Sequence, residues 1–164
     1  MIKKPVLKLL IEQINKEFHA AYLYLGLSAR CAEMNRDGFA KWLKMQAEEE
    51  VEHAMKIYDY VLEQGDVIEL TAIEKPEIKG KTLLDFFKQA YDHEKLVTAS
   101  INNIMDVAVK EKDYASQIFL QWFVTEQVEE ESSASSIVDN LTFAKTDAAA
   151  ILAIEKRLAK REED

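Results

Sequence analysis

The chain has 164 residues, 48% of them hydrophobic, which is the size of one domain with a substantial buried core. Only 4 glycines and 2 prolines interrupt a sequence rich in Ala, Leu, Glu and Lys, and this composition predicts an all-α fold. The net charge of −9 and the acidic terminus at 162–164 repel nucleic acid phosphates and so exclude a nucleic acid partner. No apolar run reaches about 18 residues, which excludes a membrane-spanning helix.

Two long helices are predicted in the first part of the chain. Apolar residues at steps of three and four, which include Leu7, Ile14 and Leu25, predict a first helix from about Val6 to Met34. Turn residues at 35–38 end it, and a second stripe begins at Phe39. This second helix is predicted to end at Gly65, because glycine readily takes the left-handed conformation found after a helix C-terminus.

Three further helices are predicted after a long connection. Residues 66–81 contain Pro76 and show no helical period. Thr82 is the predicted N-cap of a third helix, Asp113 of a fourth and Thr146 of a short fifth, because Thr and Asp side chains accept hydrogen bonds from exposed N–H groups.

The long connection decides the predicted topology. At about 3.3 Å per residue it spans about 53 Å, which exceeds the roughly 42 Å length of a helix of about 28 residues. It therefore crosses the whole bundle, so helices two and three run parallel. The predicted fold is a single domain over 1–164, with a four-helix bundle at about 6–142 and a short C-terminal helix at about 146–160.

Each long helix carries ionisable or amide side chains in the register that should be apolar. These residues are Glu17 on the first helix, Glu50 and His53 on the second, Glu94 on the third, and Gln127 and Glu130 on the fourth. Buried, unpaired carboxylates are costly, so four of them at similar depth require protons, paired cations or a metal. Four negative charges balance two divalent ions, and a set of oxygen ligands with one imidazole suits iron.

Other interpretations remain open for individual residues. A single glutamate on an apolar stripe commonly reaches solvent from the helix edge, so the coincidence across four helices carries the metal hypothesis. An acidic shelf formed by Glu49, Glu126 and Glu129 fits either a third metal position or a solvated face. Tyr24 shares a face with Glu17. It could donate a hydrogen bond to a ligand, supply an electron, or simply be a core tyrosine whose hydroxyl has a partner.

Four segments resemble the non-haem ferritin family, and the resemblance runs over nearly the whole chain. They are INKEFHAAYLYL, AEEEVEHAMKIYDY, HEKLVTASIN and FLQWFVTEQVEEE. The resemblance implies a first iron position at Glu17, Glu50 and His53. It implies a second at Glu94 and Glu130, with Glu50 bridging and Gln127 as a nearby amide. It also matches Glu49, Glu126, Glu129 and Glu130 to the third iron position of bacterial members, and Tyr24 to the tyrosine beside the centre.

The same resemblance implies a function. A ferritin-like four-helix bundle of this kind assembles into a cage of 24 subunits, oxidises Fe²⁺ to Fe³⁺ with O₂ or H₂O₂, and stores ferric oxyhydroxide inside. Haem is not expected, because helix four reads Gln127-Val128-Glu129-Glu130 instead of a second Glu-x-x-His, and Glu52 stands where a haem-ligating Met would be. A lone cysteine and the absence of a signal-peptide pattern predict a cytoplasmic protein.

Three alternatives to iron storage fit the sequence less well. A ferritin-like di-iron oxidoreductase that reduces peroxide without storing mineral is disfavoured by the single Glu-x-x-His and by the lack of a paired-cysteine iron site. A catalytically silent bundle conflicts with the complete ligand set. A DNA-protecting mini-ferritin conflicts with the acidic terminus and with ligands placed inside one bundle.

Overall fold

The structure, a computed structural model, describes residues 1–161, which contain five helices and no strand. The helices are α1 (Lys4–Glu33), α2 (Asp37–Glu63), α3 (Leu83–Lys110), α4 (Tyr114–Ala144) and α5 (Ala148–Ala159). The predicted fold class is confirmed: an all-α bundle with one long crossover between α2 and α3 and a short fifth helix. The acidic terminus at 162–164 lies outside the described residues, and within them no helix is long and apolar enough to cross a membrane.

Local capping chemistry explains where most helices begin and end. Gly65 has a φ of +76° after α2, and the N–H of Asp66 donates to the carbonyl of Val61 at 3.2 Å, which confirms the predicted glycine stop. Thr82 and Asp85 form a reciprocal capping box at the start of α3.

The predicted cap of α4 is also confirmed, whereas that of α5 is wrong. The side chain of Asp113 accepts a hydrogen bond from the Ser116 N–H at 3.2 Å. Asp147, and not Thr146, caps α5: its Oδ1 accepts from the N–H groups of Ala149 and Ala150. Either residue type can cap a helix, and the one-residue error reflects the uncertainty of helix ends read from sequence.

The crossover between α2 and α3 is fastened along the outside of the bundle. The Asn15 amide on α1 donates to the carbonyl of Ala72 at 3.0 Å, and the Gln89 amide on α3 donates to the carbonyl of Glu77 at 2.6 Å. Ile78 packs over Gly26, where an added Cβ would lie 2.7 Å from its Cδ1. The crossover therefore approaches α1 closely because residue 26 has no side chain.

A polar layer divides the hydrophobic core in two. One apolar cluster includes Leu27, Phe39 and Phe87, and the other includes Leu10 and Ile57. On each long helix the residues predicted as ligands fall in the gap between these clusters. The layer therefore crosses all four helices at one depth. One residue assigned to the apolar stripe of the first helix is not in the core: Leu25 is exposed.

Helix α5 packs across α2 and α4 at one end of the bundle. Its Leu158 is buried in the core, and the Glu155 carboxylate accepts a hydrogen bond from the Gly38 N–H at 3.1 Å. The N–H groups at the start of α2 lack partners within their own helix, so an anionic acceptor there anchors one helix to the other. This contact directs the residues after α5 toward the middle of α2.

Candidate metal centre

Three predicted ligands from α1 and α2 meet inside the bundle. Glu17, Glu50 and His53 each offer one ligand atom, and these three atoms all lie within 4.8 Å of one another. Their exposed fractions are only 1%, 1% and 5%. Glu50 and His53 are three residues apart on one helix, so they project in neighbouring directions. Two carboxylates and one imidazole at this spacing are arranged to hold a single cation.

The predicted ligands of α3 and α4 are held by hydrogen bonds from neighbouring helices. The Tyr24 phenol donates to Oε1 of Glu94, and the Gln127 amide donates to Oε2 of the same carboxylate at 3.1 Å. The Gln46 amide donates to Oε2 of Glu130 at 2.7 Å. These donors orient both carboxylates toward the polar layer, and they include the predicted Tyr24 and Gln127.

Burial makes the charged forms of these carboxylates costly in the absence of a cation. Desolvation and then the neighbouring Glu50 raise the pKa of Glu17, and desolvation and then Glu94 raise the pKa of Glu50. Desolvation, Glu94 and Glu49 raise the pKa of Glu130 to about 8. One buried oxygen each of Glu17 and Glu50 also lacks a hydrogen-bond partner among the residues that the structure describes. A bound cation would replace the protons and supply the missing partner.

Two buried amides that support these ligands were not singled out from the sequence. The Gln13 amide donates to Oε1 of Glu17 at 2.9 Å, and its own oxygen accepts from the Ser100 hydroxyl at 2.6 Å. Gln46 serves Glu130 in a similar way. A usable signal was present, because each glutamine lies on an apolar stripe four residues before a predicted ligand, Glu17 or Glu50.

The His53 imidazole is held between a carboxylate and an aromatic wall. Its Nδ1 lies 3.6 Å from Oε2 of Glu50, and its ring meets Trp122 and Phe123 edge-on at centroid distances of 5.4 Å and 6.0 Å. These contacts restrict rotation of the imidazole, which favours a fixed ligand direction.

The acidic shelf lies beside this centre. One ligand atom each from His53, Glu126 and Glu130 lies within 4.8 Å of the other two. Glu49, Glu126, Glu129 and Glu130 all line one groove of about 400 Å³. Glu129 is exposed, whereas one oxygen of Glu49 is buried with no hydrogen-bond partner in the described part of the chain. An arginine that the sequence did not single out, Arg161, forms an ion pair with the other Glu49 oxygen.

Two histidines lie apart from the centre. His19 and His93 are not among the predicted ligands, and their rings lie 6.2 Å apart in a groove beneath the crossover. Burial and the neighbouring His19 lower the pKa of His93 to about 4. The structure thus brings together Glu17, Glu50 and His53 but leaves these two histidines out of that group.

Comparison with known proteins agrees with this fold. The family model described as "Ferritin-like domain" matches residues 7–144. A protein named bacterial non-heme ferritin from Campylobacter jejuni is 45% identical over 141 residues, covering 86% of this chain and 84% of its own length. A protein of the same name from Staphylococcus haemolyticus is 38% identical over 164 residues, covering 100% and 99%.

A solved structure gives the same result. It is an engineered closed form of the Archaeoglobus fulgidus ferritin, 40% identical in sequence, with a TM-score of 0.97 and full coverage of both chains. The resemblance to non-haem ferritins is therefore confirmed, and this chain belongs to the ferritin family.

Proposed function

We propose that this chain is an iron-storage ferritin with ferroxidase activity. It binds two ferrous ions in the polar layer, oxidises them with O₂ or H₂O₂, and deposits the ferric product as oxyhydroxide inside a cage of 24 subunits. The observation that carries the proposal is the set of buried carboxylates that four helices bring to one depth. Two of these carboxylates have an oxygen that no described residue meets with a hydrogen bond.

The two halves of the polar layer correspond to two iron positions. Glu17, Glu50 and His53 hold the first ion, which their mutual spacing within 4.8 Å supports. Glu94 and Glu130 hold the second, and Glu50 bridges the two. The balance of charge supports this assignment, because four carboxylates neutralise two divalent cations with no further counter-ion.

The protein residues position the ions and manage protons. Ferrous ions displace the protons that burial retains on the carboxyl groups, so binding is coupled to proton release. Each ion then gives up one electron, and the pair reduces one O₂, which takes up two protons to become H₂O₂. Tyr24 and Gln127 keep Glu94 in place through this change of charge by their hydrogen bonds to its two oxygens.

Storage requires a third step, in which iron leaves the centre for the interior. Glu49, Glu126 and Glu129, with Glu130, form a third cation position in the neighbouring groove.

Self-association is supported by large apolar side chains on the outside of the isolated chain, with Phe143 90% exposed and Ile118 71% exposed. Haem plays no part in this function, and we place the protein in the cytoplasm.

Aerobic iron loading tests the proposal. Metal-free protein receives a large excess of ferrous iron, and the iron that remains soluble and co-elutes with protein on a sizing column is measured. Storage predicts hundreds of irons per large particle. Two or three irons per chain, with the excess precipitating, would instead identify a di-iron enzyme that reduces peroxide without storing mineral.

A further inference from the structure

Arg161 lies in the groove lined by Glu49, Glu126, Glu129 and Glu130, and most of its side chain is buried there. Its guanidinium donates one hydrogen bond to Oε1 of Glu49 and another to Oε1 of Gln46. Its Cζ also lies 5.2 Å from the centroid of the Trp42 ring. The arginine side chain is 25% exposed. A guanidinium with two acceptors and an aromatic face has a defined position, unlike a lysine or arginine that extends into water.

This position coincides with the third cation position of the proposed function. Arg161 lines the groove together with Glu49, Glu126, Glu129 and Glu130. The second carboxylate oxygen of Glu49 is buried in the same region, and no group within residues 1–161 forms a hydrogen bond with it. The guanidinium therefore satisfies only one of the two Glu49 oxygens, so a metal ion must displace it to bind this carboxylate fully.

The same arginine is linked to the dinuclear centre through one side chain. Gln46 accepts from Arg161 with its amide oxygen and donates to Oε2 of Glu130 with its amide nitrogen at 2.7 Å. When the guanidinium leaves, Gln46 loses the partner that fixes its orientation. Gln46 can still donate to Glu130 through its amide nitrogen, so this carboxylate keeps its donor in the second cation position.

We propose that Arg161 is a resident cation that closes the third metal position in the metal-free chain. A third divalent ion binds only after the guanidinium leaves Glu49, and this inference rests on the proposed function, which places an ion there. Arg161 follows the end of α5, whereas the helix itself is anchored by Leu158 and Glu155. The arginine can therefore leave the groove without unfolding α5.

A second arginine supplies a matched control. Arg157 lines the same groove and carries the same charge, but within residues 1–161 it forms no ion pair with these carboxylates. Changing Arg157 alters the charge of the groove without removing the contact with Glu49. A difference between the two variants therefore separates the specific contact from the general electrostatic field.

The experiment is an anaerobic calorimetric titration of the full-length, metal-free assembly with Fe²⁺. We expect two tight ions per chain and a weaker third in the wild type. Arg161→Gln is expected to tighten the third binding event about fivefold, the value of a partly exposed ion pair of about 1 kcal/mol, and to leave the first two unchanged. Arg157→Gln should change the third affinity by less than about twofold.

The possible outcomes separate the two proposals. Equal third affinities in wild type and Arg161→Gln, or equal tightening in Arg157→Gln, would overturn the role of Arg161. Two tight ions with no third event in either chain would also overturn it. A wild-type chain that binds no tight pair would refute the proposed function instead. If Arg161→Gln fails to assemble, Arg161→Lys keeps the charge but loses the planar fork that holds Glu49 and Gln46 in fixed directions, and it should tighten the third binding event by a smaller factor.

Discussion

The phenol of Tyr24 donates a hydrogen bond to a carboxylate oxygen of Glu94, and this contact joins α1 to α3 across 70 positions of sequence. Both side chains are fully buried. The Gln127 amide holds the other oxygen of Glu94 at 3.1 Å, so each oxygen of this carboxylate has a donor. The orientation of the Glu94 carboxylate is therefore fixed before any ion binds.

Removal of that phenol should weaken the second iron position. Tyr24→Phe leaves one buried oxygen of Glu94 without its donor, and a hydrogen bond to a charged group is worth about 1.5–3 kcal/mol. We expect the second ferrous ion to bind at least about tenfold more weakly in an anaerobic titration. Tyr22→Phe, on the exposed face of the same helix, is the control. Unchanged affinity in Tyr24→Phe would show that Glu94 does not need this donor.

The bridging position should be essential for rapid oxidation but not for folding. Glu50→Ala removes the carboxylate shared by both proposed ions, so we expect the initial rate of Fe²⁺ oxidation to fall by about a hundredfold or more. Stopped-flow absorbance measures this rate. Thermal melting of the metal-free variant should show equal or higher stability, because a buried carboxyl group is lost. Glu52→Ala, which is exposed on the same helix, should oxidise iron normally.

The stability of the metal-free protein should fall as the pH rises from about 4.5 to about 8. Burial raises the pKa of Glu130 from 4.5 to about 8, so the folded state keeps a proton in this window that the unfolded state has lost. The free energy of unfolding therefore decreases with pH until the folded state also ionises. Urea unfolding at several pH values measures the slope, and Glu130→Gln should make it shallower. A flat profile in the wild type would contradict the proposed burial effect.

Loss of a shelf carboxylate should affect the third ion more than the first two. Glu129→Ala is expected to lower iron stoichiometry from three to two per chain and to change the turnover of added iron, while the initial oxidation of the first two ions persists. Repeated small additions of Fe²⁺ under air measure the iron bound per chain and the rate at which each addition is oxidised. Asp139→Ala removes one exposed charge from the same helix and serves as the control. Identical stoichiometry and turnover in both variants would show that Glu129 is a solvated surface residue and not a ligand of a third ion.

The helices and the polar layer were predictable because both depend on local patterns. Steps of three and four place one face of each helix in the core, and caps such as Asp113 act within a few residues. The interrupted stripes also identified Glu17, Glu50 and Glu94 as buried carboxylates, because a charged residue between apolar neighbours keeps its place on the helix face. Leu25 and Thr146 show the limit, since stripe edges and helix ends vary by a residue.

The partners of the buried side chains were decided only in three dimensions. Gln46 and Arg161 are 115 positions apart in the sequence, so no local pattern predicts their contact. The contact depends on how α5 docks against α2. The hydrogen bond from Gln46 to Glu130 likewise depends on the relative rotation of α2 and α4. The sequence by itself therefore determined that the predicted ligands lie in one polar layer. The tertiary structure determined which of them meet, because helix periodicity sets a residue's direction from its own axis but not the distance or rotation between axes.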